Sequence, residues 1–250
     1  MPNATLTTTD GLALIGRQWL TEEAPEAAVV IVHGFSASSK CPNVELLACA
    51  LHGDGFDVIT YDARGHGGSA GESTLGDHEE HDVAAAVSLA RTRAARVVVV
   101  GASMGGIAAL RYAVTDDEVA GAVIVSCPAA WRLPRNVRGI LGATMTRTWL
   151  GRRMTARMCG VRVASRWTNP LPPVELAARV SVPVAYVHGT ADRFISSRDA
   201  IELANATAEP RRVTLVPGMG HAFEPTAIEP LREAVAWVLG AGAHSSPFGP

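Results

Sequence analysis

The chain has 250 residues, 48% of them apolar and 18% charged, with a formal net charge of -2. That length and composition allow one large α/β domain with a full core, and they argue against extensive disorder. The charge balance leaves no overall nucleic-acid footprint, and the apolar runs are too short and interrupted for a membrane-spanning helix.

Residues 4–20 alternate apolar and polar side chains around Asp10-Gly11, the pattern of a β-hairpin. "AAVVIVHGF" reads as a buried strand ending in a glycine turn at Gly34, and residues 42–52 read as a helix. "GFDVITYDARGHGGS" is a second buried strand running into a glycine-rich loop, and residues 75–93 read as a helix with an acidic start. "ARVVVV" is a strand and residues 104–114 the helix after it; "VAGAVIVSC", "VPVAYVHG" and "RRVTLVPG" are further strands. A last helix is expected over residues 226–239. Continuously apolar strands alternating with helices imply an α/β fold with a mostly parallel, doubly wound sheet, here with an antiparallel hairpin at its start.

The four cysteines, Cys41, Cys49, Cys127 and Cys159, contain no Cys-x-x-Cys pair and read as buried small hydrophobes or spare thiols. The start of the chain lacks a basic stretch followed by an apolar signal core, so a cytoplasmic location is expected. "HEEH" at residues 78–81 spaces its histidines i, i+3 rather than i, i+4, which suits an acidic helix start better than zinc. No cofactor or metal is expected.

Open parallel sheets bind ligands at the carboxyl ends of their strands. The loops there carry His33-Gly34-Phe35, Ser103, Asp192 in "HGTADRF" and His221 in "GMGHAF". A serine hydroxyl needs a base to take its proton as it attacks. A histidine serves if a carboxylate fixes its tautomer and stabilises the imidazolium. Each residue also has a plainer reading: Ser103 as part of a tight glycine turn, Asp192 as a turn former or helix cap. A phosphate loop fits poorly, because "GASMGG" lacks the middle glycine of G-x-G-x-x-G and no Gly-Lys-Ser/Thr follows.

The G-x-S-x-G corner and the chain order Ser, Asp, His resemble the α/β-hydrolase superfamily over nearly the whole chain. Within it, "YDARGHGGSAGES" is similar to the G-H-G-x-S-x-G-E loop of serine esterases, lipases and peptidases. "HGFSAS" is similar to the oxyanion loop of feruloyl and cinnamoyl esterases, the branch that also holds serine aminopeptidase-like proteins. The resemblance implies Ser103 as nucleophile, His221 as base and Asp192 as its orienting acid, with the N–H groups of Phe35 and Met104 as the oxyanion hole. It also implies that His33 and His66 order the loops around that hole and that His188 is a structural partner near the acid.

Residues 128–174 break the strand–helix alternation and are expected to form a short helical cap, between core parts at 1–127 and 175–240 and before a disordered tail at 241–250. The segment holds nine arginines (132, 135, 138, 147, 152, 153, 157, 162 and 166) and no Asp or Glu, so the rest of the chain carries a formal -11, the net -2 less those nine charges. The arginines either pair with that acidic remainder and pin the cap down, or form a basic rim that attracts anionic substrates. Trp131, Met145, Trp149, Met158 and Trp167 are candidates for a pocket roof. The expectation is a serine hydrolase cleaving a carboxylic ester with an apolar or aromatic acyl group through an acyl-enzyme. The alternatives are a thioesterase acting on acyl-CoA or an acyl carrier protein, and a non-hydrolytic binding protein that retains the pocket.

Overall fold

In the computed structural model, which describes residues 3–131, 137–166 and 168–244, eight strands form one sheet. β1 (Asn3–Thr7) and β2 (Ala13–Trp19) make the expected antiparallel hairpin, with Thr5 opposite Ile15 and Leu6 opposite Leu14. Its turn needs a residue at positive φ, and Gly11 supplies it at 84°. β2 runs antiparallel to β4 (Asp57–Tyr61), and every later pairing is parallel. With β3 (Ala27–Val32), β5 (Arg96–Ala102), β6 (Gly121–Val125), β7 (Val184–Gly189) and β8 (Arg211–Val216), the spatial order is β1-β2-β4-β3-β5-β6-β7-β8. This is the α/β-hydrolase fold.

The apolar runs work as two-sided strands. Ala28, Val30 and Val32 of β3 enter one core layer with Val97 and Val99 of β5. Val29 and Ile31 enter the other with Val98 and Val100, as a side-chain period of two requires. The first layer is covered by α2 (Glu80–Arg91), α3 (Met104–Thr115) and, beyond β6, α6 (Pro173–Ala177) and α7 (Ser197–Ala206). The second is covered by α1 (Pro42–Gly53) and α8 (Ile228–His244).

Two helix boundaries differ from the sequence expectation. α2 begins at Glu80, not near residue 75, because the buried Glu79 carboxylate turns back on the preceding segment. It accepts from the Thr74 and Gly76 N–H groups, both at 2.9 Å, and from the Ser73 and Thr74 hydroxyls at 2.8 and 2.5 Å. Those bonds compete successfully with a further helical turn. At the other end, α8 runs to His244, past the residue at which the tail was expected to begin.

Between β6 and β7 lie α4 (Val137–Arg147) and α5 (Trp149–Met158). Thr148 caps α5 by accepting the Gly151 N–H at 3.0 Å. Gly151 itself lets the helices touch, since a Cβ there would sit 2.1 Å from the Thr144 carbonyl oxygen. The Thr155 hydroxyl donates across the joint to the Met145 carbonyl at 3.2 Å. Main-chain bonds tie the end of this segment to the core. Ser73 N–H donates to Arg162 O at 2.7 Å, Arg162 N–H to Gly65 O at 2.8 Å and Ala164 N–H to Ser73 O at 2.9 Å.

Candidate active site

β5 delivers Ser103 to the sheet edge on a strained corner. Its backbone sits at φ 54°, ψ -115°, a region an L-residue occupies only when its surroundings impose it. The glycines make that corner possible. A Cβ on Gly101 would lie 2.3 Å from the Gly105 carbonyl oxygen, and one on Gly105 would lie 2.3 Å from the Val32 oxygen and 2.6 Å from that of His33. Strand β5, helix α3 and the loop after β3 are thus in direct backbone contact, with Gly34 against Ser103.

The acid and the histidine arrive from β7 and β8. Asp192 Oδ2 accepts from His221 Nδ1 at 2.7 Å, while Oδ1 accepts the N–H groups of Phe194 at 2.8 Å and Ile195 at 3.0 Å. The carboxylate side chain is fully buried. Burial alone would raise its pKa, but hydrogen bonds from His188 and His221, the charge of His221 and the Ile195 N–H together hold it well below the usual carboxylate range. An ionised acceptor on Nδ1 fixes the His221 tautomer and leaves Nε2 as the basic nitrogen. Glu224, the other carboxylate close in sequence, is engaged elsewhere: it accepts the N–H groups of Gly220 at 2.8 Å and His221 at 3.3 Å.

Ser103 and the His221 loop are each tied to the end of β6. Ser103 N–H donates to Val125 O at 2.8 Å, at the end of β6. The next residue, Ser126, accepts the Ala222 N–H on its hydroxyl at 3.2 Å. Among the described residues the Ser103 hydroxyl makes no hydrogen bond, a common state of such pairs before substrate binds.

The loop after β3 is held by two buried histidines. His33 Nε2 accepts the Ala63 N–H at 3.0 Å, so Nδ1 carries the proton and donates to Gly34 O at 2.8 Å. Burial, with the nearby His66, pushes the His33 pKa down to about 4 and keeps the ring neutral. His66 lies with Nδ1 3.0 Å from Arg64 O and Nε2 3.1 Å from Phe35 O, its ring N–H donating to one of these two acceptors. The N–H groups of Phe35 and Met104 donate to no acceptor among the described residues, which leaves both available at the edge where Ser103 sits.

Ser126 and Phe194 carry no motif and look like ordinary positions in the sequence, while His188 lies near the acid as expected. His188 is buried in β7, with Nε2 3.2 Å from Ile195 O and 3.4 Å from Asp192 Oδ2, and Nδ1 without a partner. Phe194 lies against His221 with ring centroids 5.2 Å apart. The only sequence signal of Ser126 and Phe194 is nearness to Asp192 or to a strand end.

A cavity of about 1710 Å³ opens beside this cluster. Its lining includes Ser73, Leu75, Trp131, Val163, Asp192, Phe194 and Ile195. Ser103 and His221 are not part of its wall. It reaches them through Phe194 and through Ser73, whose hydroxyl lies 3.4 Å from Met104 Sδ. Of the roof candidates, Trp131 lines the cavity, its Nε1–H donating to Pro170 O at 2.8 Å. Trp149 and Met158 do not: α5 turns them outward, 68% and 72% exposed. Met145 is half-buried and outside the lining, and Trp167 lies outside the described residues.

Arg147, Arg152, Arg153, Arg157 and Arg166 make no ion pair with a described carboxylate. Arg162 donates to the carbonyls of Gly71 and Ser69, and the side chains of Arg132, Arg135 and Arg138 lie outside the described residues. His81 Nδ1, from the "HEEH" stretch, is 2.9 Å from the Thr9 hydroxyl, and the described residues hold no cluster of three or more metal-ligating side chains. No described helix is long and apolar enough to cross a membrane.

Residues 23–169 match a family profile described as serine aminopeptidase, S33. An uncharacterized protein of Mycobacterium tuberculosis (strain ATCC 25618 / H37Rv) is 28% identical over 222 residues, covering 86% of this chain and 70% of that protein. Among solved structures, the esterase Pf2001 of Pyrococcus furiosus superposes with a TM-score of 0.72 at 21% identity, covering 97% of this chain and 88% of that one. Est1E of Butyrivibrio proteoclasticus, solved with ferulic acid bound, superposes at 0.68 and 18% identity, covering 96% of this chain and 100% of that one.

Proposed function

From the premise that the chain belongs to the serine aminopeptidase (S33) family of α/β-hydrolases, we propose that it is a serine hydrolase that cleaves a carboxylic ester with an apolar or aromatic acyl group. The observation that carries this reading is the Asp192–His221 hydrogen bond at 2.7 Å, made beside a serine strained at φ 54° on a glycine corner. A serine held only to make a turn needs no such neighbour.

In this reading Ser103 Oγ attacks the ester carbonyl while its proton passes to His221 Nε2. The N–H groups of Phe35 and Met104 take the oxyanion, each contributing roughly 3 kcal/mol to the transition state. Collapse breaks the bond to the alcohol, which leaves with the proton from His221. Water then attacks the acyl-enzyme, His221 again accepting a proton, and free acid and Ser103 are restored. Asp192 stays ionised throughout and stabilises the imidazolium at each step. The insertion at 128–174 acts as a cap, and Trp131, Val163, Leu75 and Ile195 form the apolar wall along which the acyl group lies.

Labelling with a fluorophosphonate tests the reading. The probe is expected to modify Ser103 in the wild type and nothing in Ser103→Ala, and p-nitrophenyl esters are expected to turn over in parallel. A folded wild type that neither labels nor turns over such esters would be a binding protein that retains a hydrolase pocket.

A further inference from the structure

Several arginines on the core are paired with carboxylates: Arg64 with Asp10 and Asp82 at 2.8 Å, Arg91 with Asp116 at 2.8 Å, Arg93 with Asp57 at 2.5 Å. Arg17 and Arg232 are held in the same way, by Glu45 and by Asp54. Around the cavity beside Asp192 the pattern reverses. Arg147, Arg152, Arg166, Arg193 and Arg198 all line it, and none has a carboxylate partner among the described residues.

These five come from three separate places: the α4–α5 joint, the strap at residue 166, and the loop and helix after β7. Their convergence is therefore a product of the fold and not of one basic run. Three carboxylates share the wall, but each is committed. Asp192 is held by His221 and His188, Asp199 is 5% exposed, and Asp199 and Glu202 each already have a partner. Among the described residues the five guanidinium groups outnumber the three carboxylates of the lining and have no carboxylate partner, so the lining keeps a net positive charge. Like charges gathered around one concave site raise the local concentration of anions. Guanidinium groups in particular offer paired N–H donors to carboxylate and phosphate oxygens.

We infer that the cavity recognises an oxyanion on the substrate, a carboxylate or a phosphate carried on the arm away from the scissile ester. The inference rests on the hydrolase reading for what happens at Ser103, and adds the substrate class. The lining carries apolar side chains (Leu75, Trp131, Val163, Ile195) together with these five arginines, so the fitting molecule combines an apolar acyl group with an anionic terminus or leaving group.

Calorimetric binding to Ser103→Ala, which holds esters without turnover, separates this from the catalytic reading. The probes are p-nitrophenyl octanoate, the p-nitrophenyl monoester of suberic acid (the same chain with a terminal carboxylate), and octanoyl-coenzyme A, whose leaving group carries phosphates. In about 20 mM salt at least one anionic probe is expected to bind about tenfold or more tightly than the neutral ester, the advantage shrinking several-fold in about 500 mM salt. It is also expected to shrink in Arg147→Ala/Arg152→Ala and in Arg193→Ala/Arg198→Ala. The probe that benefits identifies the source, carboxylate or phosphate. Equal affinity for all three probes, or a preference that survives both salt and the double substitutions, overturns the inference. Absence of Ser103 labelling in the wild type overturns the catalytic reading alone and leaves the binding comparison intact.

Discussion

Ser126 and Ala222 hold each other in place where β6 ends and the His221 loop begins. The Ala222 N–H donates to the Ser126 hydroxyl at 3.2 Å, and both residues sit at positive φ, 46° and 62°. Two strained residues joined by one bond form a positioning device for the histidine between β8 and α8. Ser126→Ala strands a backbone N–H and frees the loop. Activity toward a neutral ester is expected to fall about tenfold in kcat with little change in KM, the signature of misplacement rather than lost binding. Wild-type kinetics and labelling rate in that variant would show that the His221 loop is held without Ser126.

Asp192→Asn removes the negative charge while preserving shape. It also permits the wrong His221 tautomer, and kcat is expected to drop by about 10³ to 10⁴ with the fold retained. The folded pKa of Asp192 lies below its ordinary 3.8. Its stabilising contribution is therefore complete above pH 3.8 and is lost as pH falls through the lower folded value. Denaturant midpoints for wild type and Asp192→Asn should converge as pH falls below 3.8, and a gap that stays constant with pH would contradict the assignment.

His33 acts on stability in a different window. Its pKa falls from 6.5 in the unfolded chain to about 4 in the folded one. Above pH 6.5 both states are neutral and nothing is lost. Between 6.5 and 4 the unfolded chain takes up the proton first, so stability declines as pH falls, by up to roughly 3 kcal/mol for a shift of this size. Unfolding free energies measured at pH 7.5 and pH 4.5 should differ more in wild type than in His33→Asn. Parallel pH profiles in the two proteins would rule out the coupling.

Gly105→Ala tests the corner itself. The added methyl would meet the Val32 and His33 carbonyl oxygens at 2.3 and 2.6 Å, both rigid main chain. A loss of about 2 to 3 kcal/mol or outright failure to fold is expected from such overpacking. Gly53→Ala is the control, because a Cβ there has nothing within 4 Å. If both variants melt together, the close packing of strand and helix does not constrain the elbow.

The apolar runs carried most of the sheet, because a strand covered on both faces is apolar at nearly every position; β3 and β6 are so throughout, and β4 departs only at Asp57 and Thr60 and the hydroxyl of Tyr61. The same logic made the corner after β5 legible, since Gly101 and Gly105 are the residues whose side chains the backbone contact excludes. Chain order was enough to nominate Ser103, Asp192 and His221. The start of α2 was not legible, because its N-terminal turn is replaced by bonds to the Glu79 carboxylate that residue preferences do not reveal. Nor was Ser126, whose role comes from loops that meet only when β6, β7 and β8 lie side by side.

By itself, then, the sequence determined what repeats locally: strand and helix periods, the Gly11 turn and the glycine corner, each set by neighbours a few residues apart. Tertiary structure decided partners. Asp192 rather than Glu224 faces the imidazole, because Glu224 is consumed by the Gly220 and His221 N–H groups. Arg64 is neutralised while Arg152, Arg193 and Arg198 are not, although all are the same residue. Charge in a chain is a count, but its effect depends on which opposite charges the fold brings within a few ångströms. That distance is fixed only when the sheet edge, the cap and the loops assemble.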